Sequence, residues 1–578
     1  MSEVPSDVEA LLPATTRTPV TTNSSYLLHA CAFILVTEFC ERFAYYGLTA
    51  SLPVFFRKHL GMTNVLATEL HSLFTCVSYF TPLLGAYVAD RYFGRFKSIV
   101  SFSVWYLAGL VLCTIASHPS IQSTPLFLAG LFGGVAVGVG GIKPNVVVLG
   151  ADQFDVSDLL QRQARDAFFN WFYWAINVGS TCSYIFLTNL AVQGLPPLIP
   201  AAFGYFWSFL IPTIVFSLGM VVFVGGRHAF VKKPARGKRT FDSVAAILMR
   251  AGLNSTRGML VLSGVVALLP AIALTILSYF VTGHSHLHVG FAIAGAVLIG
   301  YGALILAVFC QKTTWVVAAA THGEYSIQQV TQVAQLVRLA PFFSVLVVFW
   351  TVHAQQTMNF TLQGCQMDLR MFPASPTSTT QVSAAMLTMV DAVVVLLCVP
   401  LFSAAIYPAL ARRRMEPTHL RKIGAGLVVS MLAMVVAGLL EMHRKQAGAI
   451  AAINSNCAQP NEWLPMADLS VWWQLPQCFL VAIAEILVVI PSYDLFYTEV
   501  PESLRSVSQA LNLLTTTLGA VVAGGTNSIF SFWIPMNLND GHLEGVFFVL
   551  AALVLGTWIG FLHISHMFEY HPRATTDV

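Results

Sequence analysis

The stretch Glu38-Phe-Cys-Glu-Arg-Phe-Ala-Tyr-Tyr-Gly47 puts two acids and a base inside an apolar run, residues 28–50, long enough to cross the hydrocarbon of a bilayer. Glu38, Glu41 and Arg42 are spaced i, i+3 and i+4, which stacks all three on one face of a helix. A charge at mid-membrane costs about 2.5–3.5 kcal/mol on insertion scales, so three together do not persist facing lipid. That face must look into a wet cavity or onto polar partners. A salt bridge that only fixes helix packing explains part of the pattern, but two acids against one base leave a carboxylate unmatched. A partly desolvated, unmatched carboxylate favours its protonated form, the property needed to carry a proton.

Outward from this run, the chain repeats the same theme. Of 578 residues, 56% are hydrophobic and 10% charged, a balance that cannot be buried in a water-soluble globule. Apolar runs fall near 28–50, 70–89, 97–116, 126–150, 168–192, 203–225, 259–282, 289–311, 330–352, 382–406, 422–441, 471–493, 507–531 and 545–567, roughly fourteen spans of an all-α membrane protein. With residue 1 cytosolic, inside segments hold about twenty-two of the thirty Lys and Arg residues and outside loops about five. Arg42, Lys143 and Arg338 fall within spans. A net charge of +3, with basic residues spread over separate loops, indicates no nucleic-acid partner. No GxxxxGK[ST] loop or soluble catalytic domain is present, so an enzyme or ATP-driven pump is not expected.

The longest cytosolic connection, residues 226–258, is basic and separates a six-helix front from the remainder. The expected organisation is a cytosolic tail over 1–27, a six-helix bundle over 28–225, a basic linker over 226–258, an extra two-helix hairpin over 259–311, a second six-helix bundle over 312–567 and a tail over 568–578. The hairpin reads as peripheral. Its short link carries His284, His286 and His288, read as a polar turn at the membrane surface in preference to a metal site. Ten cysteines, scattered singly without CxxC spacing, read as small packing residues. Residues 1–25 contain no apolar stretch of signal-peptide length, so the first helix is expected to act as the insertion signal.

Further ionisable groups lie deep in spans. Lys143 sits where Gly138, Gly140 and Gly141 permit close backbone approach and Pro144 loosens the helix. A buried lysine demands an anion. Glu485 comes thirteen residues after Trp472, about 20 Å along its helix from that interfacial ring. Asp391 lies in another span, where helix capping or packing is an alternative to a site role. Counted together, Glu38, Glu41, Asp391 and Glu485 oppose Arg42 and Lys143, which leaves room for protons and an ammonium group.

The sequence around these residues resembles the proton-coupled oligopeptide transporter family, a branch of the major facilitator superfamily. The Glu38–Gly47 stretch is similar to its ExxERFxYYG element, and Gly85-Ala-Tyr-Val-Ala-Asp-Arg-Tyr-Phe-Gly-Arg95 to the superfamily's loop between helices 2 and 3. Gly140-Gly-Ile-Lys-Pro-Asn145 with Asp152-Gln-Phe154 resembles helix 4, and Phe168-Phe-Asn-Trp-Phe-Tyr-Trp-Ala-Ile-Asn-Val-Gly-Ser180 resembles helix 5. Trp350 with Gln355 and Gln363, Gln474-Leu-Pro-Gln477 with Glu485, and Tyr497-Thr-Glu-Val-Pro501 with Arg505 follow in order. Ala385-Met-Leu-Thr-Met-Val-Asp391 and Ala467-Asp-Leu-Ser-Val-Trp-Trp473 resemble the peptide/histidine branch. The plant nitrate-transporting branch shares the helix 1 element.

The resemblance implies a major facilitator fold and symport of protons with di- or tripeptides, and histidine, by alternating access, with no cofactor besides the coupling proton. It implies that Glu41, then Glu38, carries the proton beside Arg42, that Arg42 and Lys143 hold the substrate carboxylate, and that Tyr46 and Asn177 touch substrate. A Lys143 to Glu485 bridge between the two bundles is the alternative for that lysine. Glu485 is assigned to the substrate amine, with Asp391 strengthening that end. Tyr45, Tyr79, Tyr173, Trp350 and Gln355 complete the expected wall of a cavity. An extended di- or tripeptide spans roughly 7–11 Å, a reasonable width for it.

Two departures bear on the coupling. The family's helix 2 histidine aligns with Ser72, with His71 about 100° around the helix, and that role is not transferred. The carboxylate of helix 7 is replaced by Ala354, beside His353, a histidine that can titrate near neutral pH but is read first as packing. Near the N-terminus, Asp7-Val-Glu-Ala-Leu11-Leu12 resembles an acidic dileucine signal read by cytosolic sorting adaptors, which favours an endosomal or lysosomal membrane over the plasma membrane. A nitrate or other organic-anion transporter, or a non-transporting nutrient receptor or scaffold, remain the rival expectations.

Overall fold

With no water in hydrocarbon to satisfy backbone N–H and C=O groups, each apolar run must close its hydrogen bonds on itself, and the chain is accordingly almost entirely helical. The computed structural model describes residues 24–155, 159–233, 240–281, 285–316, 325–371, 380–415 and 417–568. Asp7, Leu11, Leu12 and His284 lie outside the described residues.

The front bundle contains α1 (Ser24–Lys58), α2 (Asn64–Val88), α3 (Arg95–Ala116), α4 (Thr124–Leu128) running through a π-helical stretch into α5 (Val137–Ala151), α6 (Leu159–Gln193) and α7 (Gly204–Gly225). The linker carries α8 (Thr240–Asn254), and the hairpin is α9 (Thr256–Phe280) with α10 (Ser285–Phe309). The second bundle comprises α11 (Ile327–Val337), α12 (Ala340–His353), α13 (Asn359–Cys365), α14 (Met389–Leu401) with its continuation α15 (Tyr407–Arg412), α16 (His419–Gln446), α17 (Leu475–Thr498), α18 (Arg505–Ile529) and α19 (Leu543–Met567). Among the described residues, thirteen helices are long and apolar enough to span a membrane. Added to α1, which carries the three charges, they give the fourteen expected spans.

The structure departs from the sequence expectation at four places. The run at 330–352 is two helices, because Pro341 opens a new one. The first, α11, buries Val330, Val333 and Leu336 and exposes Gln328 and Gln329, and Arg338 stands at the junction between the two helices. Two of the ten cysteines are not packing residues: Cys365 and Cys457 form a disulfide. Before α17 the chain forms a small antiparallel pair, β1 (Ala449–Asn454) and β2 (Pro465–Ala467), the one sheet among the described residues. Finally, the hairpin is docked. The His288 ring pairs with Glu69 of α2 at 3.4 Å and with the Ser278 carbonyl at 2.8 Å, and Tyr279 donates to the Val521 carbonyl of α18. Because α2 and α18 belong to different bundles, the hairpin bears on both.

The bundles are bonded to each other at their outer ends. Arg57, at the outer end of α1 and 1% exposed, pairs with Glu462 at 2.8 Å and donates to the Cys457 carbonyl at 2.5 Å and to Asn64 at 2.7 Å. Asn64 donates to Pro535, Lys58 to Asn456, and Gln193 to Gln381. Asn527 of α18 reaches Thr68 of α2 at 2.9 Å, and Ser528 reaches Glu69 at 2.5 Å. The outer side is therefore shut. At the opposite end of the front bundle, Asp152 is held by Arg95 and by Lys233.

Removing one partner of a buried ion pair costs about 3–5 kcal/mol. Arg57→Ala is therefore expected to loosen the outer closure. The readout is labelling of a cysteine placed at Ser180 on the cavity wall by an impermeant maleimide added from outside: labelling should accelerate, and an unchanged rate counts against this role.

Candidate functional site

The floor of the site is set by how closely α5 can approach its neighbours. A side chain at Gly140 would lie 2.3 Å from Thr81 of α2, and one at Gly141 would lie 1.9 Å from Phe102 of α3. Only glycine allows α5 to wedge between these helices. Asn145 donates to the Gly85 carbonyl, and Thr81 to the Ala136 carbonyl, which fix the register. This packing brings Lys143 beneath two aromatic rings.

Arg42 reaches both glutamates, Glu38 at 2.9 Å and Glu41 at 2.5 Å, and all three are nearly inaccessible. The expected unmatched carboxylate is thus a shared one: a single guanidinium serves two acids. Lys143 lies with its ammonium nitrogen 3.8 Å from the centre of the Tyr45 ring and 4.3 Å from that of Tyr79, a cation–π arrangement. Among the described residues that nitrogen has no hydrogen-bond partner. The Lys143 to Glu485 bridge is not formed here. Instead, Arg42 and Lys143 make a cationic end standing one ring's thickness behind the cavity wall, since Arg42 also lies 6.0 Å from the Tyr46 ring.

The opposite wall is acidic. Glu485 of α17 and Asp391 of α14 converge on His353 of α12, at 3.4 Å and 3.9 Å from its Nε2. One ligand atom from each lies within 4.8 Å of the others, a spacing able to hold a small cation. Asp391 retains a buried oxygen with no hydrogen-bond partner among the described residues. His353, read from sequence as packing, is therefore a member of the site. Its signal was indirect: the residue after it, Ala354, is where a carboxylate had been expected. Immediately beyond, the helix breaks before α13, as in membrane helices interrupted at a binding site.

Between the two ends is a cavity of about 260 Å³. Tyr46, Tyr79, Tyr173, Asn177, Trp350, Asp391 and Glu485 all stand on its wall. Gln355 does not. It is fully buried, donating to the Thr351 carbonyl at 3.1 Å and accepting from Asn359 at 2.6 Å, and Gln356 lines the cavity in its place. A break into a tighter turn over Ala354–Gln356 shifts which glutamine faces inward, and a helical register could not reveal that. Sequence reading also passed over His71 as a wall residue; it bonds Thr357 across the bundles at 3.0 Å, and Ser72 lies beside it. The motif residues Gln363, Gln474 and Gln477 take no part in the wall. They form a buried network with Glu441, itself paired to a fully buried Arg444 at 2.7 Å.

Residues 96–536 match a family model described as the POT family. Among curated relatives, Protein NRT1/PTR FAMILY 8.2 of Arabidopsis thaliana is 30% identical, covering 96% of this chain and 95% of its own. Protein NRT1/PTR FAMILY 8.3 of the same plant is 31% identical, with 91% and 89% covered. The crystal structure of the POT family transporter PepTSo superimposes with a TM-score of 0.74 at 24% identity, over 93% of this chain and 97% of that one. A crystal structure titled as an auto-inhibited POT family peptide transporter gives 0.73 at the same identity, over 94% and 98%. At that identity these likenesses speak for the fold.

The two adjacent glutamines should separate by assay. Gln355→Ala leaves buried partners unsatisfied, at a cost of about 1–3 kcal/mol, and is expected to lower the thermal unfolding midpoint. Gln356→Ala should leave the midpoint near that of the unaltered protein; equal losses would place both side chains in the packing.

Proposed function

The chain belongs to the POT family, and on that premise we propose that it is a proton-coupled symporter of di- and tripeptides, and of histidine, working by alternating access. The observation that carries this reading is the separation of charge across one chamber, with Arg42 and Lys143 behind one wall and Asp391 and Glu485 on the other. A zwitterion with its carboxylate and ammonium a few ångströms apart is complementary to that field. A simple anion is not, because two carboxylates crowd the end where His353 stands.

The cycle follows from competition for partners. An ammonium group entering between Glu485 and Asp391 replaces the His353 ring as their counter-charge. A carboxylate drawing on Arg42 leaves Glu41, or secondarily Glu38, short of compensation, and a proton makes up the difference. Substrate and proton then stabilise the same occupied state, and their joint arrival biases which end of the bundles closes. The acidic dileucine pattern at Asp7, Leu11 and Leu12 supports placement in an endosomal or lysosomal membrane, with an acidic lumen as the proton source and cytosolic adaptors as partners.

The test is uptake of labelled dialanine and of histidine into proteoliposomes under an imposed pH gradient. Both substrates should accumulate above the level at symmetric pH. Glu485→Gln should cut uptake at least about tenfold, equivalent to about 1.4 kcal/mol. Glu41→Gln should preserve exchange of internal for external peptide while abolishing gradient-driven accumulation. Peptide uptake indifferent to the gradient would defeat the coupling, and nitrate uptake surviving Glu485→Gln would point to an anion carrier.

A further inference from the structure

Between the hairpin and the second bundle runs another cavity, of about 450 Å³, that is separate from the chamber described above. One side is a face of α10 presenting Ala292, Ala296, Gly300, Ala303 and Ala307; α9 contributes Thr275, and α12, α18 and α19 supply the other sides. From Ala292 to Ala307 the groove runs about 22 Å along the membrane. Its hydroxyls are already spent. Thr275, Ser344, Thr526 and Thr557 each donate to a backbone carbonyl, so the walls keep no free hydroxyl donor and the lining is overwhelmingly apolar. A groove of this chemistry inside a bilayer takes hydrocarbon.

Its cytosolic end is different. Pro341 and Ile564, which close the groove, also line a small hollow with Gln311 and Arg338. Gln311 in turn borders a third hollow, of about 210 Å³, shared by Arg257 and Lys312. Three cations from α9, the end of α10 and the α11–α12 junction therefore gather where the groove meets the cytosolic surface. The Arg338 guanidinium is held 5.0 Å over the Phe568 ring, which fixes its position at that mouth. A hydrocarbon guest alone gives no reason for such a cluster, whereas a phosphate-bearing lipid fits both parts. Basic pockets between membrane helices on the cytosolic side are the recurrent seat of anionic headgroups.

We propose that this groove binds an anionic phospholipid of the cytosolic leaflet, with an acyl chain along α10 and the headgroup on Arg257, Lys312 and Arg338. The lipid bridges the hairpin and the second bundle.

The test places the full-length protein in nanodiscs of dioleoyl phosphatidylcholine containing dioleoyl phosphatidylserine as the minor component, and counts lipids that stay bound by native mass spectrometry. Phosphatidylserine should be retained over phosphatidylcholine. The double variant Arg257→Gln/Lys312→Gln should weaken its retention by about tenfold or more, two surface cations being removed. Gly300→Leu tests the groove with the charges intact: nothing lies within 4 Å of a Cβ placed there, so a side chain can enter the cavity from that point. It should expel the lipid equally. If the double variant fails to fold, raising salt on the unaltered protein must release phosphatidylserine selectively. Equal retention of the two lipids, or retention indifferent to charge and salt, overturns the proposal. A guest lost only with Gly300→Leu would be a neutral lipid or sterol and overturns it as well.

Discussion

Charge in the centre of a membrane must be compensated within the protein, because hydrocarbon supplies neither water nor counter-ion. That constraint organises the middle of this molecule. One guanidinium, Arg42, answers two glutamates, and one imidazole, His353, answers two other carboxylates. Lys143 answers to aromatic rings. Each arrangement compensates its charges incompletely; the His353 cluster lines the chamber, and the Arg42 and Lys143 groups stand behind its tyrosines. A site so composed holds its own groups adequately when empty, yet has more to gain from a guest bearing both signs. The glycines of α5 belong to the same logic, since without the close approach at Gly140 and Gly141 the lysine would not stand behind Tyr45 and Tyr79.

The rigid parts are distributed to match. Polar bonds within the second bundle, around Arg444, Glu441 and the buried glutamines, lie away from the cavity and keep that bundle a single body. Bonds between the bundles concentrate at the outer ends, where Arg57 reaches into the loop before α17. A rocking motion needs this division: strong contacts inside each body, and a defined set between them that can be exchanged for another set.

Much of the fold was legible in sequence for a simple reason. Membrane spans declare themselves by length and apolarity, and the cost of intramembrane charge makes Glu38, Glu41, Arg42, Lys143 and Glu485 conspicuous. What sequence could not give depends on departures from helical regularity or on contacts between distant segments. The turn at Ala354–Gln356 exchanges Gln355 for Gln356 on the wall, and no periodicity announces it. His353 became a site residue only when α14 and α17 brought two carboxylates to it. The hairpin, short-linked and apolar, carries no pattern that announces the pairing of His288 with Glu69 of α2. The small strands β1 and β2 are too short and too mixed in composition to be distinguished from a loop.

The bond between Cys365 and Cys457 joins the end of α13 to the loop that follows α16, across 92 residues. Thiols that close on one another in this way belong to an oxidising space; in the reducing cytosol they would ordinarily stay apart. The face carrying this cross-link therefore looks onto a secretory lumen or the cell exterior. The count of basic residues in the loops favours the same sidedness by a wholly different route, one resting on electrostatics and the other on sulfur redox chemistry.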